Sequence, residues 1–227
     1  MASYEILHKG AFPIVNYSLE QGERLKAEAG AMIAMSPTIE VTGGTEGGLL
    51  KGLTRMLAGE KFFFQYLTAS KGAGDVIFAH AIPGDIIDVV LDGTNGLKVA
   101  KDGFLAATED IQLETKTQNL AQGLFGGAGF FVLSIKGSGH LFLSSYGSIH
   151  KVELEQGREL IVDNGHLVAW SENMNYKIEK ASKSFISSLT SGEGLICRFT
   201  GPGVIYIQTR NPGGFADFLR RFGLGSK

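Results

Sequence analysis

Phe130-Phe131-Val132-Leu133-Ser134-Ile135-Lys136-Gly137-Ser138-Gly139-His140-Leu141-Phe142-Leu143 places an apolar run on each side of a Gly-x-Gly turn. The same arrangement surrounds Gly72-Ala73-Gly74 and Gly201-Pro202-Gly203, at nearly equal spacing along the chain. A strand, a glycine turn and a second strand that follow one another three times predict a tandem array of β units. The glycines assigned to structural turns are Gly72, Gly74, Gly137, Gly139, Gly201 and Gly203.

A second pattern supports the repeat. Glu20-Gln21-Gly22-Glu23-Arg24-Leu25 is matched by Glu155-Gln156-Gly157-Arg158-Glu159-Leu160, and we match both to Ile82-Pro83-Gly84-Asp85-Ile86-Ile87. In the middle copy the matching strand, Gly103-Phe104-Leu105-Ala106-Ala107, comes later, and we assign the extra length to a hairpin inserted at Asp92–Gly96. The predicted units are residues 5–82, 83–150 and 151–217 of one compact all-β body.

A short helix is predicted to end the chain, over residues 213–223. Phe215, Phe218, Leu219 and Phe222 follow helical spacing, and Gly223 is a typical residue at a helix end. We expect this apolar stripe to pack on the β body, with docking onto a second subunit as the alternative.

With these glycine turns, the Gly-x-x-[Ile/Leu/Val]-Ala strands and the segment Leu53–Phe63, the chain resembles the altered-inheritance-of-mitochondria type family over about residues 5–217. Its members are mostly uncharacterised bacterial and archaeal proteins, and a eukaryotic branch is linked to the mitochondrial inner membrane. The family is placed in the TRAP-like superfamily, named after the tryptophan-responsive RNA-binding attenuation protein. The resemblance implies three fused TRAP-like β-sandwich repeats with internal pseudo-threefold symmetry, and it carries over no active site.

Charge and apolar content restrict the function classes. The net charge is −2, with 21 basic and 23 acidic residues, which argues against a nucleic-acid partner. The first residues show no basic segment followed by a long apolar run, and no apolar stretch approaches the ~20 residues that span a bilayer. We therefore expect a cytoplasmic protein, with attachment to the inner face of a membrane as the alternative.

Catalytic patterns are scarce in this sequence. The five histidines form no His-x-His or His-x₃-His pair, so no metal site is expected. Cys197 lies in an apolar strand, and we interpret it as a core thiol rather than a nucleophile. The sequence predicts no catalytic residue, no cofactor and no metal site, and therefore a protein that is not an enzyme.

Three stretches between the strand pairs carry grouped leucine and phenylalanine residues. Threefold symmetry would place them at one end of the molecule, where they would form an apolar surface for a membrane or a partner. The candidate residues of this surface are Leu50, Leu53, Leu57, Leu124, Phe125, Phe185, Ile186 and Leu189.

The preferred hypothesis is a non-enzymatic scaffold or binding module that assembles into homo-oligomers, because repeated β units leave open sheet edges. Three alternatives remain. They are attachment to a membrane surface through the apolar stretches, RNA binding by analogy with the superfamily, and an enzyme that uses a cleft between repeats. The sequence identifies no small-molecule ligand.

Overall fold

The structure is a computed structural model that describes residues 3–44, 64–117, 131–180 and 195–224. Its strands are β1 (Ser3–Leu7), β2 (Ile14–Leu19), β3 (Arg24–Glu28), β4 (Met32–Met35), β5 (Glu40–Gly44), β6 (Phe64–Thr68), β7 (Gly74–Phe78), β8 (Ile86–Asp92), β9 (Leu97–Ala100), β10 (Phe104–Thr108), β11 (Gln112–Thr117), β12 (Phe131–Lys136), β13 (Ser138–Ser144), β14 (Ile149–Leu154), β15 (Glu159–Asp163), β16 (Leu167–Ser171), β17 (Asn175–Lys180), β18 (Leu195–Thr200) and β19 (Gly203–Gln208). Among the described residues, one α-helix, α1 (Pro212–Arg221), follows β19. The prediction of a β protein with a short C-terminal helix is confirmed.

The described strands form four antiparallel sheets. The first sheet has the order β1-β2-β7-β4, and the second has the order β5-β6-β3-β10-β13-β8. The third has the order β11-β12-β9-β16-β19-β14, and the fourth has the order β15-β18-β17. Each of the two middle sheets therefore combines strands from distant parts of the chain.

One pairing order occurs three times after β1, in the sets β2–β7, β8–β13 and β14–β19. In each set the first strand pairs with the sixth, the sixth with the third, the second with the fifth and the fifth with the fourth. The third strands β4, β10 and β16 have a register shift at the same place. In addition, the second strand of one set pairs with the third strand of the next, in β3–β10 and β9–β16.

The sheets enclose three apolar cores. Val15 and Phe78 of the first sheet meet Leu25 of the second in the first core. The second core lies between the second and third sheets, and the third lies between the third and fourth sheets. Because both faces of the middle sheets are buried, their strands are apolar at successive positions, as in Phe104–Ala107, where all four residues are fully buried.

The Gly-x-Gly turns have a steric basis. By register, the second glycine of each motif, Gly74, Gly139 or Gly203, occupies the same position at the start of its sixth strand. The next backbone N–H donates to a hydroxyl at or just after the end of the third strand. The distances are 2.9 Å from Asp75 to Ser36, 3.1 Å from His140 to Thr108 and 2.9 Å from Val204 to Ser171. A Cβ at Gly139 would strike the Thr108 hydroxyl, and the φ of +140° at Gly139 is itself unfavourable for other residues.

The match that we made at Gly84-Asp85 is wrong. Residues 20–23 and 155–158 join the first and second strands of their sets, whereas Gly84 precedes the first strand of the second set. The equivalent turn of that set is 93–96, where Asp92 accepts hydrogen bonds from Thr94. The segment Asp92–Gly96 is therefore the regular turn and not an inserted hairpin. Gly84 is needed for another reason, because a Cβ there would strike the carbonyl of Ser145.

Helix α1 is capped by Asn211, whose side chain accepts hydrogen bonds from the N–H groups of Gly213 and Gly214. The expectation that its apolar stripe packs on the β body is wrong for Phe218 and Phe222, which remain 53% and 66% exposed. Phe215 approaches the ring of Tyr146, with 5.7 Å between ring centroids, but it stays exposed. The helix thus presents an apolar face to solvent.

We expect Gly139→Ala to lower the free energy of unfolding by about 1–3 kcal/mol, because it combines an unfavourable φ with a clash at Thr108. Urea unfolding monitored by circular dichroism measures the change. The control is Gly43→Ala in β5, where a Cβ meets no atom within 4 Å and φ is not positive. Equal stability of the two variants would contradict the steric role of the second glycine.

Candidate functional site

The predicted apolar surface lies outside the described residues. All eight of its residues fall in 45–63, 118–130 or 181–194. Each of these segments joins the fourth strand of a set to the fifth. The apolar surface therefore stays a prediction. The candidate sites below come from the described residues.

The free edge of β4 is the clearest candidate. β4 pairs with β7 on one side, and no strand of the described ranges pairs with its other side. Ile33 is 57% exposed and Met35 is 40% exposed. Their counterparts in β10 are Leu105 and Ala107, which are fully buried in the first and second cores, respectively. The same sequence position is therefore apolar and covered in one set, and apolar and open in another.

The first strand of the fourth sheet, β15, has the complementary edge. It pairs with β18 on one side, and no described strand pairs with its other side. Ile161 on this strand is 38% exposed, and the equivalent positions in β3 and β9 are Lys26 and Lys98. The third set thus has an isoleucine at the position where the first and second sets have a lysine.

A small cleft of about 280 Å³ lies where the first set passes into the second. Its walls come from residues 11–14, which lead into β2, and residues 79–86, which lead from β7 into β8. The lining is apolar apart from His80 and Asp85. The Asp85 carboxylate accepts hydrogen bonds from the N–H groups of Ile86 and Ile149, at 3.0 and 3.2 Å, and so holds the linker in place.

His80 is the histidine of this cleft. Burial lowers the pKa of its ring below the ordinary 6.5, while Asp102 and the backbone of Ser145 act in the opposite direction. Its Nδ1 is buried and has no hydrogen-bond partner among the described residues. The folded protein therefore takes up a proton at His80 less readily than an ordinary imidazole does.

Tyr4, Asp88 and His140 form a polar cluster between β1, β8 and β13. The Tyr4 hydroxyl donates to the Asp88 carboxylate at 2.6 Å, and His140 Nδ1 lies 3.0 Å from the same oxygen. Burial and the neighbouring Asp88 carboxylate raise the pKa of Tyr4 to about 12, so the phenol stays protonated. The rings of Tyr17 and Phe142 surround Tyr4. We interpret the cluster as a structural tie that holds β1 against the second sheet.

Cys197 is fully buried in the third core. Burial, with a smaller contribution from Asp163, raises the pKa of its thiol to about 12, so the thiolate needed for nucleophilic attack is disfavoured. Within the described ranges, no group of three histidine, cysteine or carboxylate side chains is placed to hold a metal ion. No helix in the same ranges is long and apolar enough to cross a membrane.

Comparisons with known proteins identify relatives over nearly the whole chain. The family model described as "Mitochondrial biogenesis AIM24" matches residues 4–210. An uncharacterized protein of Streptococcus pyogenes serotype M6 is 34% identical over 219 residues, which cover 93% of this chain and 87% of that protein. A crystal structure of a Streptococcus pyogenes protein from the Northeast Structural Genomics Consortium is 33% identical, with a TM-score of 0.80, over 98% of this chain and 100% of that one.

We expect the free energy of unfolding to fall on acidification below about pH 6.5, in part because of His80. The folded pKa lies below the unfolded 6.5, so the unfolded chain takes up the proton first and gains stability. His80→Gln should weaken this pH dependence, measured as urea midpoints between pH 7.5 and 5.5. The exposed His150, changed to Gln, is the matched control. An unchanged pH profile in His80→Gln would contradict the role of burial.

Proposed function

The chain belongs to the family described as Mitochondrial biogenesis AIM24, and from this premise we propose that it is a non-enzymatic scaffold that self-associates through its open sheet edges. The observation that carries the proposal is the apolar edge of β4. The counterparts of β4 in the other sets, β10 and β16, each pair with a strand on both sides. A partner strand on the open side of β4 would bind its free backbone N–H and C=O groups and cover its exposed apolar side chains. Open edges of this kind pair with other chains.

We further propose that the body consists of three fused TRAP-like β-sandwich units. The threefold repetition of the pairing order supports this division, as do the three hydroxyl groups that accept from the residue after each second glycine. Pseudo-threefold symmetry stays a prediction. A closed threefold arrangement would need β15 to pair with β4, and in the described part of the chain these two strands lie in separate sheets.

The proposal of a non-enzymatic role is supported by the chemistry of the described residues. The Tyr4 phenol and the Cys197 thiol are held protonated, and the Asp85 carboxylate is used by backbone N–H groups. The cleft at His80 has a volume slightly below the ~300 Å³ at which ligand pockets usually begin. An enzyme that uses this cleft and an RNA-binding protein both remain alternative predictions.

Sedimentation velocity over a range of concentrations tests the scaffold. We expect the wild-type protein to gain mass with concentration, and Met35→Glu to remain smaller, because a charge on an edge strand opposes pairing. The control is Val90→Glu, on the edge strand β8, whose side chain is also exposed. A wild-type protein that is monomeric at every concentration would reject self-association.

Attachment to a membrane surface is a second candidate function, and helix α1 is the observation that favours it. Phe215, Phe218 and Phe222 lie on one exposed face, and Arg220 and Arg221 lie in the last turn. A helix with exposed aromatic residues and basic side chains is typical of segments that lie in the interface of anionic membranes.

Flotation with anionic vesicles tests this second candidate. We expect the wild-type protein to float and Phe218→Glu to lose binding, because the substitution places a charge in the apolar face. Ala216→Glu, which alters an exposed position on another face of α1, is the matched control. Wild-type protein that stays at the bottom of the gradient would reject membrane attachment.

A further inference from the structure

Two junctions inside the chain define how one set of strands joins the next. In β3–β10, Ala27 lies opposite Ala106 and Lys26 lies opposite Ala107. In β9–β16, Val99 lies opposite Ala169, and the next pair along the strands follows in the same register. Both junctions are antiparallel, and both join the second strand of one set to the third strand of the next.

The chain contains the two strands of a third junction of this kind but does not pair them. β15 is the second strand of the last set, and β4 is the third strand of the first set. β4 corresponds to β10 and β16 through its pairing with β7, because Ala34, Ala106 and Ala169 follow the register shift in each strand. Ala34 is exposed, whereas Ala106 and Ala169 are fully buried.

The register of the inner junctions specifies which residues the third junction would bring together. Val162 of β15 corresponds to Ala27 and Val99, so it would lie opposite Ala34. The next pair would be Ile161 opposite Met35. Both of these side chains are exposed and apolar, and cross-strand apolar pairs stabilise sheets.

We propose that β4 of one copy pairs with β15 of a second copy, antiparallel, with Met35 opposite Ile161. This inference rests on the self-association proposed above and specifies its geometry. The contact joins the four-stranded first sheet to the three-stranded fourth sheet of the other copy. The resulting order, β1-β2-β7-β4-β15-β18-β17, is that of the second and third sheets with β1 added at one edge.

This contact uses two different surfaces, so a copy that pairs once through β4 still has the edge of β15 available, or the reverse. Heterologous contacts of this kind generate rings when the rotation closes and filaments when it does not. The two inner junctions show that the backbone geometry of the contact is compatible with this fold, since both form between strands of the same chain.

Disulfide trapping tests the pairing. Met35→Cys and Ile161→Cys are made in separate chains of different mass, mixed and oxidised. We expect a mixed disulfide dimer, because residues directly opposite in antiparallel strands lie within the Cα separation that a disulfide requires. Cys197 is fully buried and stays in every variant, and the wild-type protein serves as the blank. Val90→Cys mixed with Ile161→Cys is the matched control and should give no mixed dimer.

The outcomes separate this inference from the scaffold itself. Dimers formed only between two Met35→Cys chains, or only between two Ile161→Cys chains, would replace the proposed contact with a symmetric one. A chain carrying both substitutions that cross-links within a monomer would show closure inside one copy and overturn the proposal. Oligomers that persist in sedimentation without the mixed disulfide would overturn the register and leave self-association intact. A monomer in sedimentation would overturn both.

Discussion

Hydrogen bonding between the second strand of one set and the third strand of the next is the constraint on which this architecture depends. Because of this pairing, the second and third sheets each contain strands of two sets. Each of these sheets packs against one core on each of its faces. A single set has strands in two different sheets. The first core, for example, contains residues of both the first and the second set. Each set therefore depends on contacts with a neighbouring set for its stability, and fusion in one chain keeps these contacts together.

Much of this fold could be predicted from the sequence, because glycine turns are local. Gly72, Gly137 and Gly201 stand at the same position of their sets, as their even spacing indicated. The steric reason could not be predicted, since the hydroxyls of Ser36, Thr108 and Ser171 lie far from their glycines in sequence. The wrong match at Gly84 has the same origin. A Pro-Gly-Asp turn resembles the other turns locally, but strand pairing decides which turns are equivalent.

The open edges were harder to predict than the turns. Met32-Ile33-Ala34-Met35 is as apolar as Phe104-Leu105-Ala106-Ala107, so composition gives no sign that one strand is exposed and the other buried. The difference comes from strand pairing, because β10 pairs with β3 of the first set, whereas no described strand pairs with the second side of β4. Ile161, which occupies the position of a lysine in the first and second sets, is the one sequence signal, and it becomes visible only after the strands are aligned. The exposed stripe of α1 was missed for a similar reason, since an amphipathic pattern does not show what covers it.

The intrinsic fluorescence of Trp170 reports on one part of this molecule. It is the single tryptophan of the chain, it is fully buried, and it packs against Tyr176 and Phe199 with ring centroids 5.1 and 5.7 Å away. All three rings belong to the third core. Its emission wavelength therefore reports on the hydration of the third core alone. Opening of the first core, between β2, β7 and β3, would not shift the tryptophan emission spectrum.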